Sequence, residues 1–179
     1  MDELLTNIKN ALNQFIIDHK SLIIQDVHEE ALTSELLHYF KKEFQDLNLD
    51  INSNYNKRIL GNSVINKEVD FLIEKLPIQY WPRNWENGQT HIKKEILPDF
   101  IFHNHASSQS NYLIVELKKS TNKNKPDRDW DFLKLIEMTK RDLNYKWGLF
   151  IDLKTGNEFN GVQPYSLIVF SRGINIYNE

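Results

Sequence analysis

The chain has no cysteine, only six glycines and five prolines, and no long hydrophobic run. Without cysteine it can form neither a disulfide framework nor a cysteine–zinc site, and we expect it in the reducing cytoplasm. No apolar stretch approaches the roughly 18 residues of a membrane span, and the acidic, amphipathic N-terminus does not look like a signal peptide. A membrane is therefore not an expected partner.

The chain also has no excess of positive charge, since its formal net charge is −3. A protein with this balance does not attract nucleic acid over its whole surface, so any such contact must come from a local patch. With 179 residues, 40% of them hydrophobic, it has the size and composition of a globular protein. We expect residues 1–179 to form a single domain.

Hydrophobic periodicity predicts an α/β fold with a mixed β-sheet flanked by helices. The predicted helices lie at residues 1–20, 26–45 and 127–142, and the predicted strands at residues 47–55, 98–104, 111–119, 145–153 and 165–172. Asp26 is the predicted N-cap of the second helix. Residues 57–97 fit this order least well, and we interpret them as an insertion with a short helix over residues 67–75.

The segment "NYLIVELKKS" (residues 111–120) places charged residues at the end of the most apolar strand. If the preceding turn, "HASSQS", is centred between Ser107 and Ser108, Asp99 lies directly opposite Glu116. Lys118 shares their face because strand side chains alternate. Two opposed carboxylates destabilise a hairpin unless positive charge lies between them, so this strand end is a candidate site.

The second predicted helix adds an acid that faces inward. At about 100° per residue, Glu29 falls near the middle of the apolar stripe, level with Leu36, whereas Glu30 falls near its edge. A carboxylate in such a position must be paired, protonated or bound to a metal. The helix over residues 127–142 should pack on the sheet, and its Lys134 could also point toward the site.

Three acids and a lysine suit a hard divalent cation. Mg²⁺ binds carboxylate oxygens and keeps several waters, which leaves positions for a phosphate and a nucleophilic water. The ion polarises the phosphoryl oxygen and lowers the pKa of its bound water. A nearby lysine stabilises negative charge on the phosphate or orients the water. We therefore expect a Mg²⁺ site in which Mn²⁺ can substitute.

The pair "PDF" and "VELK" resembles the signature of the PD-(D/E)xK nuclease superfamily, whose members share the restriction-endonuclease-like fold. "PD" stands at residues 98–99 and "ELK" at residues 116–118. Flanking stretches such as "VHEEALTSELLHYFKKEF", "SNYNKR" and "WGLFIDL" are similar to those of small bacterial and phage proteins of this superfamily. The resemblance spans residues 27–153, with Asn54 and Lys57 departing from the common pattern.

The resemblance implies an α-β-β-β-α-β core and metal-dependent hydrolysis of phosphodiester bonds in nucleic acid. By the same resemblance, Asp99 and Glu116 are metal ligands, joined by the backbone carbonyl of Leu117. Lys118 corresponds to the catalytic lysine, and Glu29 to the acid from the first core helix. DNA is the expected substrate, although the sequence does not distinguish it from RNA.

The basic run "KKSTNKNKPDR" adjoins the predicted site. Its candidate phosphate contacts are Lys119, Lys123, Lys125 and Arg128. The alternative interpretation is an ordinary solvated loop. Tyr55 and Asn56 could shape the rim of the site.

The sequence is compatible with two functions. The first is a Mg²⁺-dependent endonuclease, which the complete set of two acids and a lysine favours. The alternative is a catalytically silent binding or regulatory subunit of a defence or mobile-element system that keeps the nuclease fold. The acidic net charge and the small size favour a homodimer or a partner protein under either reading.

Overall fold

The computed structural model describes residues 1–60, 63–83, 88–104, 111–140 and 143–179, with the backbone alone described at residues 58–60 and 63–65. Its helices are α1 (Asp2–Asp18), α2 (Lys20–Ile24), α3 (Glu29–Glu43) and α4 (Lys125–Met138). Its strands are β1 (Asp50–Ser53), β2 (Lys57–Leu60), β3 (Ser63–Asn66), β4 (Glu68–Leu72), β5 (His91–Glu95), β6 (Phe100–His103), β7 (Leu113–Lys119), β8 (Trp147–Leu153), β9 (Tyr165–Ser171) and β10 (Ile174–Asn178). The predicted α/β class is confirmed.

The central sheet has the strand order β1-β6-β7-β8-β9-β10. β7 and β8 are parallel, and α4 connects them because parallel neighbours need a crossover. The other neighbouring strands are antiparallel, so the sheet is mixed, as predicted. The sequence pattern does not predict the edge strand β10, whose Ile174 and Ile176 remain exposed.

Helices cover both faces of this sheet. α1 and α3 pack on one face, where Phe40 meets Phe100 edge to face with ring centroids 5.0 Å apart. α4 and β4 pack on the other face, over Ile114. Burial of each large apolar side chain stabilises the folded state by roughly 1.5–3 kcal/mol. A slip of the strand register by one residue would turn these side chains to the opposite face of the sheet. The same alternation along β7 directs Leu117 toward the first face and Glu116 toward α4.

The pairing of β6 with β7 agrees with the predicted register. Phe100 pairs with Val115 and Phe102 with Leu113. One residue further along, the same register places Asp99 opposite the residue after Val115, which is Glu116. The predicted turn at residues 105–110 lies outside the described residues.

The second helix begins later than predicted. α3 starts at Glu29 with His28 in the N-cap position, and it ends at Glu43. Asp26 is not the N-cap, because its φ of 53° is left-handed whereas an N-cap residue adopts an extended conformation. The Asp26 carboxylate instead accepts hydrogen bonds from the hydroxyls of Thr121 and Thr155.

Part of the predicted insertion forms two antiparallel strand pairs, β2–β3 and β4–β5. The short helix predicted over residues 67–75 is wrong. Val69 and Phe71 are buried there while Asp70 is exposed, which is the period of a strand. Only Ile73–Lys75 forms a single 3₁₀ turn.

Two other predicted boundaries were too wide. Of the strand predicted over residues 47–55, only Asp50–Ser53 is paired, and Leu47 belongs to a 3₁₀ turn. The helix predicted to reach residue 142 ends at Met138, and residues 141–142 lie outside the described part of the chain.

Candidate active site

The four predicted catalytic residues meet where β7 ends. Asp99 immediately precedes β6, Glu116 and Lys118 lie on β7, and Glu29 is the first residue of α3. Lys118 Nζ lies 2.8 Å from Glu29 Oε1, which joins the α3 terminus to the strand. Elements far apart in the sequence therefore deliver these side chains to one place.

Glu29 contacts β7 with both carboxylate oxygens. Oε1 pairs with Lys118, and Oε2 accepts the backbone N–H of Lys119 over 3.1 Å. The neighbouring Glu30 is exposed. The inward orientation predicted for Glu29 thus agrees with the structure, and Glu30, predicted near the edge of the stripe, is exposed.

Asp99 is held by the backbone of the opposite strand. Its Oδ2 accepts the N–H of Leu117 over 2.7 Å. Burial raises the pKa of Asp99 to about 6, although this hydrogen bond and the ammonium groups of Lys118 and Lys134 favour the ionised form. A carboxyl group with such a pKa gains from any additional cation placed beside it.

Glu116 is the most deeply buried acid of the site, with 1% of its surface exposed. Its Oε2 lies 2.8 Å from Lys134 Nζ, while its Oε1 has no hydrogen-bond partner among the described residues. Burial raises the pKa of Glu116 well above its ordinary value; Lys134 opposes this, and Asp99 and Asp131 add to it. An orphaned, buried carboxylate oxygen is costly unless a further ligand engages it.

Asp131 is a site residue that the sequence analysis missed. It is 3% exposed and lies on α4, where Oδ1 is 2.9 Å from Lys134 Nζ and Oδ2 is 3.1 Å from Lys118 Nζ. Asp131 lies three, four and seven residues before Lys134, Leu135 and Met138. These four buried side chains therefore lie on one stripe of α4. The helical spacing of Asp131 and Lys134 from Leu135 and Met138 directs both side chains toward the sheet.

Acids and lysines alternate along one chain of contacts. The order is Glu116, Lys134, Asp131, Lys118 and Glu29. Burial alone would lower the pKa of Lys118, but Asp131 and Glu29 outweigh it and raise that pKa above its ordinary value. With Asp99, the site holds four carboxylates against two ammonium groups, which leaves two uncompensated negative charges when all are ionised.

The described residues contain no group of three or more His, Asp or Glu side chains already arranged to hold a metal ion. Each carboxylate is bonded instead to a lysine or to a backbone N–H. Two features nevertheless fit a divalent cation: the orphaned Oε1 of Glu116 and the formal excess of two negative charges when all four carboxylates are ionised. Asp99, opposite Glu116, supplies a second carboxylate for such an ion.

Two of the predicted phosphate-binding residues are occupied by contacts within the protein. Lys119 Nζ donates to the carbonyls of Asp26 and Val27 over 3.1 and 2.9 Å, and it also pairs with the Asp26 carboxylate. Arg128 pairs with Asp152 over 3.0 Å and donates to the Lys119 carbonyl. These cations hold the loops around the site together.

The remaining predicted contacts have different surroundings. Lys123 and Lys125 pair with acids at the surface but stay largely exposed, at 71% and 82% of their side chains. Tyr55 is half-buried, with Lys67 Nζ 4.9 Å from its ring centre. The backbone carbonyl of Asn56 accepts the N–H of Lys67, and Asn56 lies with Tyr55 in the connection between β1 and β2.

Comparison with protein-family models, with curated proteins and with solved structures finds no match for this chain. The resemblance to PD-(D/E)xK nucleases therefore stays a prediction from the motif residues. No helix in the described ranges is long and apolar enough to cross a membrane.

Proposed function

We propose that the protein is a divalent-metal-dependent nuclease of the restriction-endonuclease-like fold that hydrolyses phosphodiester bonds in DNA. The observation that carries this proposal is the convergence of Asp99, Glu116, Lys118 and Glu29 at the end of β7. The order α3, β1, β6, β7, α4 and β8 supports the expected α-β-β-β-α-β core, with β2 to β5 as the insertion.

Asp99 and Glu116 would hold Mg²⁺ together with the Leu117 carbonyl. The bound ion would supply a Lewis acid for the phosphoryl oxygen and a water of lowered pKa. Lys118, kept protonated by Asp131 and oriented by Glu29, would stabilise the charge that develops on the phosphate. The exposed Lys123 and Lys125 are the best placed of the predicted residues to meet the DNA backbone.

The test is the Lys118→Ala variant in a cleavage assay on plasmid, linear duplex, single-stranded DNA and RNA. Loss of one preorganised charge-stabilising group lowers the rate on the order of 10²–10³-fold, while Mn²⁺ binding and folding should persist. Lys9→Ala is the matched control, because Lys9 also forms an ion pair but on α1, with Glu179. Cleavage by Lys118→Ala at the wild-type rate would exclude this mechanism.

A catalytically silent nuclease-fold subunit is the second candidate function. It is favoured by the fact that each carboxylate of the site already has a partner within the protein. Calorimetric titration with Mn²⁺ separates the two candidates. The nuclease proposal expects saturable binding by the wild type that Glu116→Ala loses, whereas the silent subunit should bind no ion in either form.

A further inference from the structure

We propose that Lys134 is a positioning residue of the metal site and the resident counterion of Glu116. A divalent cation that binds Glu116 displaces the Lys134 ammonium, and Asp131 retains the displaced ammonium. This inference rests on the proposed function. Lys134 lies on α4 with 8% of its side chain exposed, so its charge has little access to water. Its Nζ lies 2.8 Å from Glu116 Oε2 and 2.9 Å from Asp131 Oδ1.

Glu116 requires a cation whether or not a metal is present. It is buried on the α4 face of the sheet, opposite Asp99, where an unpaired carboxylate is strongly disfavoured. Lys134 is its only ion-pair partner in the described part of the chain. The ammonium therefore favours the ionised form of Glu116 and holds its carboxylate toward α4 until another cation arrives.

The same contact places Lys134 in competition with a metal ion. An ammonium and a divalent cation on one carboxylate repel each other, so each lowers the affinity of the site for the other. Asp131 Oδ1 holds Lys134 independently of Glu116, which gives the ammonium a partner after it leaves. Lys118 does not compete in this way, because it pairs with Glu29 and Asp131 and not with Glu116.

Calorimetric titration with Mn²⁺ of wild type, Lys134→Met and Lys140→Met tests the proposal. Lys140 pairs with Glu137 three residues before it, just as Lys134 pairs with Asp131, but it lies away from the site. Removing the competing ammonium should tighten Mn²⁺ binding on the order of 10-fold, within the range of ordinary coupling between ligands. Lys140→Met should bind as the wild type does. Unchanged or weaker binding by folded Lys134→Met would overturn the proposal.

The double variant Asp131→Asn with Lys134→Met distinguishes displacement from a simple change in net charge. It removes one carboxylate and one ammonium, so the formal charge of the site stays at that of the wild type. Tighter Mn²⁺ binding by the double variant supports displacement, whereas wild-type affinity would mean that charge alone acts and would overturn it. This variant also decides the matter if Lys134→Met does not fold. Failure of the wild type to bind Mn²⁺ would instead reject the proposed function itself.

Discussion

Replacing Asp99 with asparagine should stabilise the metal-free protein. Burial raises the pKa of Asp99 to about 6, against an ordinary value of 3.8, so the folded state disfavours the ionised carboxyl. The difference corresponds to roughly 3 kcal/mol of unfolding free energy at neutral pH, at 1.36 kcal/mol per pH unit. Asparagine has nearly the same shape, can still accept the N–H of Leu117, and carries no charge.

The sign of the pH dependence follows from the direction of this shift. A raised carboxyl pKa means that the folded state binds the proton more tightly, so the cost is absent below about pH 4 and complete above about pH 6. The stability difference between Asp99→Asn and wild type should therefore be greatest at pH 8 and should shrink as the pH falls from 6 to 4. At pH 8 it corresponds to at most about 6–12 °C in Tm for a chain of this size.

The assay is thermal and urea unfolding in EDTA at several pH values, repeated with millimolar Mn²⁺. A ligand that binds only the folded state stabilises it by about 2.7 kcal/mol when its concentration is 100 times its Kd. Mn²⁺ should therefore raise the Tm of the wild type. The Tm of Asp99→Asn should stay nearly unchanged, because this variant lacks one of the proposed ligands. Asp46→Asn, at an exposed position, is the control. An Asp99→Asn protein less stable than wild type in EDTA at pH 8 would refute the reasoning.

Two further substitutions test the surroundings of the site. Glu29→Gln weakens the contact with Lys118 and should slow cleavage about tenfold, because losing a charged hydrogen bond costs roughly 1.5 kcal/mol. The control Glu30→Gln should leave the cleavage rate unchanged. Equal effects of the two variants in the cleavage assay would contradict the inward orientation of Glu29. Lys119→Met loses the contacts of Lys119 with Asp26 and Val27. Its free energy of unfolding, measured by urea denaturation, should be about 2 kcal/mol lower than that of wild type at any salt concentration. A variant as stable as wild type would show that Lys119 has no such structural role.

The parts of the fold that the sequence predicted are those set by local periodicity. The alternation of apolar residues along β6 and β7 fixes which face each side chain takes, and the register then follows from the turn. Asp99 and Glu116 could be paired on this basis alone. The helical angle of Glu29 likewise depends only on its neighbours in α3.

The predictions that failed depend on partners distant in the sequence. Asp26 has the residue type of an N-cap, but Thr121 and Thr155 bind its carboxylate, and the backbone takes a left-handed turn there. β4 has only five residues, so its alternation of buried and exposed positions does not by itself exclude a helix. The pairing with β5, which is distant in the sequence, makes it a strand. Asp131 was missed although it shares the stripe of Leu135 and Met138 on α4, because it belongs to neither half of the motif.

The basic loop shows why counting charges does not locate a nucleic-acid surface. In the sequence, Lys119 and Arg128 are as basic as Lys123 and Lys125, yet their cationic groups bind oxygens of residues that are distant in the chain or across the loop. Releasing either cation toward a phosphate would leave a partly buried acid, Asp26 or Asp152, without its cationic partner, which is unfavourable. The loop therefore divides its cations between two tasks. The partly buried pair, Lys119 and Arg128, holds together the segments around Glu29 and Lys118, and the exposed pair, Lys123 and Lys125, is better placed to contact a polyanion.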